Sequence, residues 1–187
     1  MNLPNKLTFL RIILVPVFLI IFNLGYIWVA GVIFVIASLT DLADGKIARK
    51  YNLVTNFGKF ADPLADKLLV SAALIALCTV GKLGHPLLGM WATFVIIARE
   101  FMVTGIRLVA AAEGKVIAAG MSGKIKTAIQ MVAITYILFA ELLIYVGLPV
   151  DVSNIIVNVL VIASVFMTVY SGAEYLIQNR SLLNTNK

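Results

Sequence analysis

Residues 27–49 read IWVAGVIFVIASLTDLADGKIAR, so a long uncharged run passes directly into Asp41 and Asp44. The fourteen uncharged residues are 27–40. As an α-helix they would span about 21 Å at roughly 1.5 Å per residue, less than the roughly 30 Å hydrocarbon core of a bilayer. We therefore expect a membrane helix that continues through both aspartates before it reaches the cytoplasmic interface.

A second pair of carboxylates, Asp62 and Asp66, precedes another fourteen uncharged residues, 68–81. The same count predicts that both pairs lie at one shallow depth. Carboxylates cost free energy in such surroundings and repel one another unless a cation lies among them. Spacings of three and four residues place each pair on one side of its helix. Two facing pairs could hold two divalent cations, Mg²⁺ or Mn²⁺, an arrangement suited to in-line phosphoryl displacement.

The whole chain has the composition of an integral membrane protein. Of its 187 residues, 61% are hydrophobic and 13% charged, against about 25% charged in soluble domains. Because backbone polar groups must be paired inside a bilayer, we predict an all-α membrane fold in one domain, 1–187. Six transmembrane helices are predicted, at 7–24, 28–49, 59–81, 87–112, 125–147 and 153–177.

Basic residues predict the orientation of these helices. They crowd the second and fourth connections and both termini, whereas the first, third and fifth connections contain only Lys82. Because positive residues stay cytoplasmic, both termini and the aspartates are predicted to face the cytoplasm of a multi-pass cell-membrane protein. The net charge of +6 is explained by topology and by attraction to anionic lipid; it gives no reason to expect a nucleic-acid partner.

The aspartates belong to a longer pattern, Asp41-x2-Asp44-Gly45-x2-Ala48-Arg49-x8-Gly58-x3-Asp62-x3-Asp66. This pattern resembles the signature of the CDP-alcohol phosphatidyltransferases at every position and every gap. The resemblance implies CMP as leaving group and Asp66 as general base, while the four aspartates hold the two cations. It also implies CDP-diacylglycerol as donor, bound by Asp41, Asp44, Gly45, Ala48, Arg49 and Gly58.

Further segments resemble the bacterial branch of that family whose acceptor is sn-glycerol 3-phosphate. They lie at 2–11, 99–107, 123–130 and 171–175. This resemblance implies transfer of the phosphatidyl group to the acceptor's 1-hydroxyl, giving phosphatidylglycerol phosphate. Family members are similar in forming homodimers, so a homodimer is expected.

Basic residues in the cytoplasmic halves of the helices suit the acceptor's phosphate. Glu100 and Arg107 are seven residues apart and so share one helix face, which permits an ion pair or a pocket wall. The lysines near residue 125 could instead mark only the cytoplasmic end of a helix. The candidate phosphate ligands are Arg11, Arg99, Arg107, Lys124 and Lys126.

Other interpretations remain open from sequence alone. The acceptor could be serine, an inositol phosphate or phosphatidylglycerol, although serine has no phosphate for the cationic patch. A divalent-cation transporter also places carboxylates in membrane helices, but no charged path crosses the outer halves of the second and third helices. The aspartates could also be structural, paired with neighbouring lysines and arginines.

Overall fold

Six α-helices form the described part of the computed structural model. It describes the backbone of 3–50, 56–112, 114, 117 and 120–180, and the side chains of 7–40, 64–65, 67–111, 114, 117 and 120–180. Within these residues the all-α prediction is confirmed, and each predicted segment corresponds to one helix. The helices are α1 (Leu3–Asn23), α2 (Ile27–Lys50), α3 (Asn56–Thr79), α4 (Pro86–Ala112), α5 (Met121–Tyr145) and α6 (Val150–Gln178).

All six helices begin earlier than predicted, by one to four residues, and the start of α5 matters most for function. It begins at Met121 rather than at residue 125, directly after Gly120, whose backbone is extended (φ −63°, ψ 163°). The predicted segments followed the apolar stretches only approximately, whereas a helix starts where its backbone becomes helical. Lys124 and Lys126 therefore both lie within α5, where two positions apart means about 200° around the helix axis.

Short turns that contain glycine allow consecutive helices to pack side by side. Gly25 (φ 87°) follows α1 and Gly81 (φ 69°) follows α3, both in the left-handed region that glycine adopts without strain. At the second turn, the amide of Lys82 donates a hydrogen bond to the carbonyl of Leu77 at 3.0 Å, which pairs a carbonyl at the end of α3. Pro86 then begins α4, where its missing N–H is not needed.

The helices pack in a closed ring whose order differs from their order in the chain. The largest contacts join α1 to α2, α2 to α5, α5 to α6, α6 to α4, α4 to α3, and α3 back to α1. The helices α2 and α3, which carry the aspartates, also contact each other. Each helix therefore has two main neighbours, and α6 lies behind α4 and α5.

The interior of the ring is mostly apolar. Phe18 of α1 and Phe34 of α2 are fully buried, and their ring centroids lie 6.3 Å apart. Leu77 and Leu138 are equally inaccessible. Burial of each such side chain contributes roughly 1.5–3 kcal/mol relative to its exposure to water.

Large apolar side chains also cover the outside of the bundle. Ile20, Ile36, Phe94, Val132 and Ile162 are between 51% and 62% exposed, although soluble proteins rarely expose extended apolar surface. Among the described residues, α5 and α6 are each long and apolar enough to cross a membrane. Shorter apolar helical stretches are Leu7–Asn23, Ile27–Thr40 and Lys67–Thr79.

Candidate functional site

A cavity of about 690 Å³ lies between helices α1 to α5, large enough for a ligand of several hundred daltons. Its polar side combines residues from four of these helices with a carboxylate at its centre. The cationic residues that line it are Arg11, Lys67, Arg99, Arg107 and Lys124, and the carboxylate is Glu100.

The cavity is also lined by apolar side chains. Val35 and Leu39 of α2, Val103 of α4 and Met131 of α5 line it. A cavity that combines a cationic wall, formed by the five basic residues named above, with apolar side chains in the same lining suits a ligand that has an anionic head and an apolar body. Such a ligand is amphipathic, as a phospholipid is.

Glu100 is the hub of the charged side. Its carboxylate accepts hydrogen bonds from Lys67 Nζ at 2.8 Å and from Arg99 Nη1 at 3.2 Å. It also accepts a bond from Lys126 Nζ. The side chain of Lys126 is only 2% exposed, and a buried ammonium ion is tolerated only when a carboxylate neutralises it.

The structure thus separates the five predicted phosphate ligands. Arg11, Arg99, Arg107 and Lys124 line one cavity, whereas Lys126 is not among the described lining residues. Lys126 is packed behind the wall and is held by Glu100. The two lysines differ because they point in nearly opposite directions from α5. Glu100 and Arg107 do share a pocket wall, but Glu100 pairs with other cations.

Arg107 and Lys124 are the cations of this wall that have no carboxylate partner among the described residues. The guanidinium of Arg107 instead lies over the ring of Tyr175, with Cζ 5.6 Å from the ring centroid. Its Nε is buried and has no hydrogen-bond partner among the described atoms. Lys124 is exposed at the cavity edge. Neither cation would have to give up an ion pair with a described carboxylate in order to bind an anion.

Arg99 is held in a fixed pose from two sides. Its Nη1 donates to Glu100, and its Nη2 donates to Ser171 Oγ at 3.1 Å. Gly172, next to Ser171, has no side chain in the space that Arg99 occupies. The guanidinium plane is therefore oriented by α6 as well as by its own helix.

The four aspartates lie on the helix segments that adjoin this cavity. Asp41 follows the lining residue Leu39 on α2, and Asp66 directly precedes the lining residue Lys67 on α3. The side chains of Asp41, Asp44, Gly45, Ala48, Arg49, Gly58, Asp62 and Asp66 lie outside the described residues. The residue types still suit a hard divalent cation, because all four aspartates supply carboxylates. The two members of each pair are about one helical turn apart, and the two helices that carry the pairs are in contact.

The central position of Glu100 and Lys67 was not predicted from sequence. Their contact joins residues 33 positions apart, on different helices, so no local periodicity could indicate it. The polar lining residues Ser38 and Thr104 were likewise missed, since single hydroxyl residues are common in apolar helices. A buried charge in an apolar run, as at Glu100, was the one signal that the sequence offered.

Comparison with known proteins gives consistent results over nearly the full length. A sequence model described as CDP-alcohol phosphatidyltransferase matches residues 1–170. A CDP-diacylglycerol–glycerol-3-phosphate 3-phosphatidyltransferase of Bacillus subtilis is 47% identical, over 99% of this chain and 98% of the relative. A relative of the same name from Rickettsia typhi is 36% identical over 93% of this chain and 94% of its own. A probable phosphatidylglycerophosphate synthase of Mycobacterium tuberculosis is 39% identical over 93% and 79%.

Proposed function

This chain belongs to the CDP-alcohol phosphatidyltransferase family, and on that basis we propose that it makes phosphatidylglycerol phosphate. The donor is CDP-diacylglycerol, the acceptor is sn-glycerol 3-phosphate, and the second product is CMP. The observation that carries the proposal is one cavity lined by both a cationic wall and apolar side chains, beside the signature helices. It matches an anionic acceptor and a lipid donor that meet in one site.

The acceptor's phosphate is bound at the cationic wall. Arg107 and Lys124 bind it directly, since neither has a carboxylate partner among the described side chains. Arg99 and Arg11 complete the electrostatic field from the neighbouring walls. Lys126 acts indirectly, because its ion pair with Glu100 keeps that carboxylate from repelling the phosphate.

The aspartates serve the donor's diphosphate. Asp41, Asp44, Asp62 and Asp66 would hold two divalent cations, Mg²⁺ or Mn²⁺, as their carboxylate-only donor set favours. When bound, such ions neutralise the diphosphate and the charge that develops on departing CMP. A carboxylate oxygen of Asp66 accepts the proton of the acceptor's 1-hydroxyl as the oxygen of that hydroxyl attacks the donor's β-phosphorus. The bond between this phosphorus and the bridging oxygen breaks, and CMP departs. The small residues Gly45, Ala48 and Gly58 let the nucleotide approach the backbone closely, and Arg49 pairs with its phosphate.

The protein spans the cell membrane six times, with both termini and the cavity toward the cytoplasm. The apolar exterior of the bundle supports immersion in lipid. The clustering of lysines and arginines in alternate connections supports the orientation. The acyl chains leave sideways past the apolar lining residues of the cavity, while CMP and glycerol 3-phosphate exchange with the cytoplasm. The working unit is a homodimer, as the family resemblance implies.

The test is CMP release by purified, detergent-solubilised protein. CMP should appear only when CDP-diacylglycerol, glycerol 3-phosphate and Mg²⁺ or Mn²⁺ are all present. Serine, inositol phosphate and phosphatidylglycerol, each assayed with the same donor, serve as acceptor controls. CMP release that persists in EDTA would refute the metal role, and faster release with another acceptor would refute the proposed acceptor.

A divalent-cation transporter is the competing function from another class. It predicts metal flux into liposomes that requires neither CDP-diacylglycerol nor glycerol 3-phosphate. Flux without CMP formation would favour it over the transferase. The cationic wall argues against it, because Arg107 and Lys124 repel a divalent cation that approaches through the cavity.

A further inference from the structure

One segment of α6 contacts the cationic wall from outside the cavity. Ser171 is 2% exposed and Tyr175 is 7% exposed. Gly172 lies against Arg99. None of the three is among the described residues that line the cavity. Each contacts a lining arginine of α4. The segment 171–175 therefore lies directly behind the cationic wall.

The first two residues of the segment fix Arg99. Ser171 Oγ accepts the hydrogen bond of Arg99 Nη2 at 3.1 Å. A Cβ atom at position 172 would lie 3.1 Å from Arg99 Cγ, a contact tight enough that Arg99 would have to shift by a few tenths of an ångström. Glycine at this position therefore leaves room for the pose that Ser171 holds.

Tyr175 supports Arg107 through the face of its ring. The guanidinium carbon lies 5.6 Å from the ring centroid, within the range of a cation–π interaction. The phenolic oxygen is buried and has no hydrogen-bond partner among the described atoms. The ring, rather than the hydroxyl, is thus the part that acts on Arg107.

We infer that residues 171–175 form a positioning segment that sets the poses of Arg99 and Arg107 and thereby the affinity for the acceptor's phosphate. The segment does not touch the acceptor; it acts through the two arginines. The inference rests on the proposed function, since it assumes that glycerol 3-phosphate binds at this wall. Its consequence is specific, because the donor's diphosphate is assigned to the aspartates rather than to Arg99 or Arg107, so donor affinity should not be affected.

Gly172→Ala tests the part of the segment that faces Arg99, and Gly105→Ala is its matched control. Both changes are in helices and both gain the helix propensity of alanine. A Cβ at Gly105 meets nothing within 4 Å. Gly172→Ala should raise the KM for glycerol 3-phosphate about fivefold, because small misplacements of a binding group are costly. The KM for CDP-diacylglycerol should stay unchanged in both variants.

Tyr175→Leu tests the part that faces Arg107. It removes the ring but keeps an apolar side chain, and we expect about a fivefold rise in the KM for glycerol 3-phosphate. Tyr175→Phe restores the ring without the unpaired hydroxyl and should rescue acceptor affinity. Failure of Tyr175→Phe to rescue would show that the ring is not the acting group.

Binding measured without turnover separates positioning from chemistry. Glycerol 3-phosphate raises the unfolding midpoint of any protein that binds it in the folded state. In Gly172→Ala and Tyr175→Leu this rise should require about fivefold more glycerol 3-phosphate, matching the KM change. Ser171→Ala deletes the oxygen that accepts the hydrogen bond of Arg99 Nη2. It should likewise raise the concentration of glycerol 3-phosphate that is needed, and it replaces Gly172→Ala as the test if that variant does not fold.

Two results would overturn the inference. One is an unchanged acceptor KM in folded Ser171→Ala and Tyr175→Leu protein. The other is an equal rise in the KM values of both substrates, as a general structural defect would give. In both cases the KM values of the variant are compared with those of active wild-type protein. Wild-type protein that released no CMP with glycerol 3-phosphate would instead refute the proposed function itself.

Discussion

The substitution Glu100→Gln should destabilise the fold far more than removal of a comparable surface carboxylate. Glu100 receives hydrogen bonds from Lys67, Arg99 and Lys126. Glutamine keeps the size of the side chain but removes its charge. Lys126, whose side chain is only 2% exposed, would then be an ammonium ion without a carboxylate.

The size of the effect follows from the exposure of the three cations. Removing one partner of a buried ion pair costs about 3–5 kcal/mol. Lys67 and Arg99 have side-chain exposures of 16% and 12%, so water compensates part of their loss. We therefore expect the lower end, about 3 kcal/mol, which corresponds to a fall of about 6–12 °C in Tm for a chain of this size.

Glu141→Gln provides the matched control. Glu141 pairs with Lys82 at 2.5 Å, but its side chain is 57% exposed, and an exposed pair is worth about 0–1 kcal/mol. Thermal unfolding of both variants in the same detergent measures the difference. The double variant Glu100→Gln/Lys126→Met should recover part of the loss, because it removes the uncompensated charge as well. Equal Tm values for Glu100→Gln and Glu141→Gln would refute the reasoning.

Three further predictions concern the site and the core. Arg107→Gln should raise the KM for glycerol 3-phosphate about 10–100-fold, since a charge-assisted hydrogen bond is worth roughly 1.5–3 kcal/mol; steady-state kinetics measure this, with Lys82→Gln as a control outside the cavity. Asp66→Asn should abolish CMP release while CDP-diacylglycerol still stabilises the protein against heat, and near-normal turnover would contradict its role as base. Phe34→Ala should cost about 3–5 kcal/mol in the free energy of unfolding, and Phe94→Ala, 62% exposed on the outside, much less; equal losses would argue against a core at Phe34.

The fold was largely predictable because lipid imposes few choices. A run such as 27–40 can only be helical in a bilayer, and the length of such runs is set by membrane thickness. The starts of helices were less predictable. The fifth apolar segment was predicted to begin at 125, whereas α5 begins four residues earlier, at Met121. The ring order of the helices has no signal in a single sequence.

The site was predictable in its residue types and only partly in its geometry. Charged residues in apolar helices identified Arg99, Arg107 and Lys124, which do line one cavity. Lys124 and Lys126 were both candidate phosphate ligands, although positions two apart on a helix differ by about 200°. Contacts between helices, such as Arg99 with Ser171, join residues 72 positions apart and could not be inferred from spacing.

The ring order has a consequence for how the protein is made. The contact of α2 with α5 and that of α4 with α6 join helices that are separated in the chain, so neither can form until late in synthesis. When α4 has just been made, Glu100 can pair only with Lys67 and Arg99, and Lys126 has not yet arrived. The cationic wall therefore stays incomplete until α5 has been made, and the contacts of Ser171 and Tyr175 with its arginines form later still. A ribosome-bound chain stalled after α4 should already carry all four signature aspartates and still lack Lys124, one of the two cations proposed to bind the acceptor.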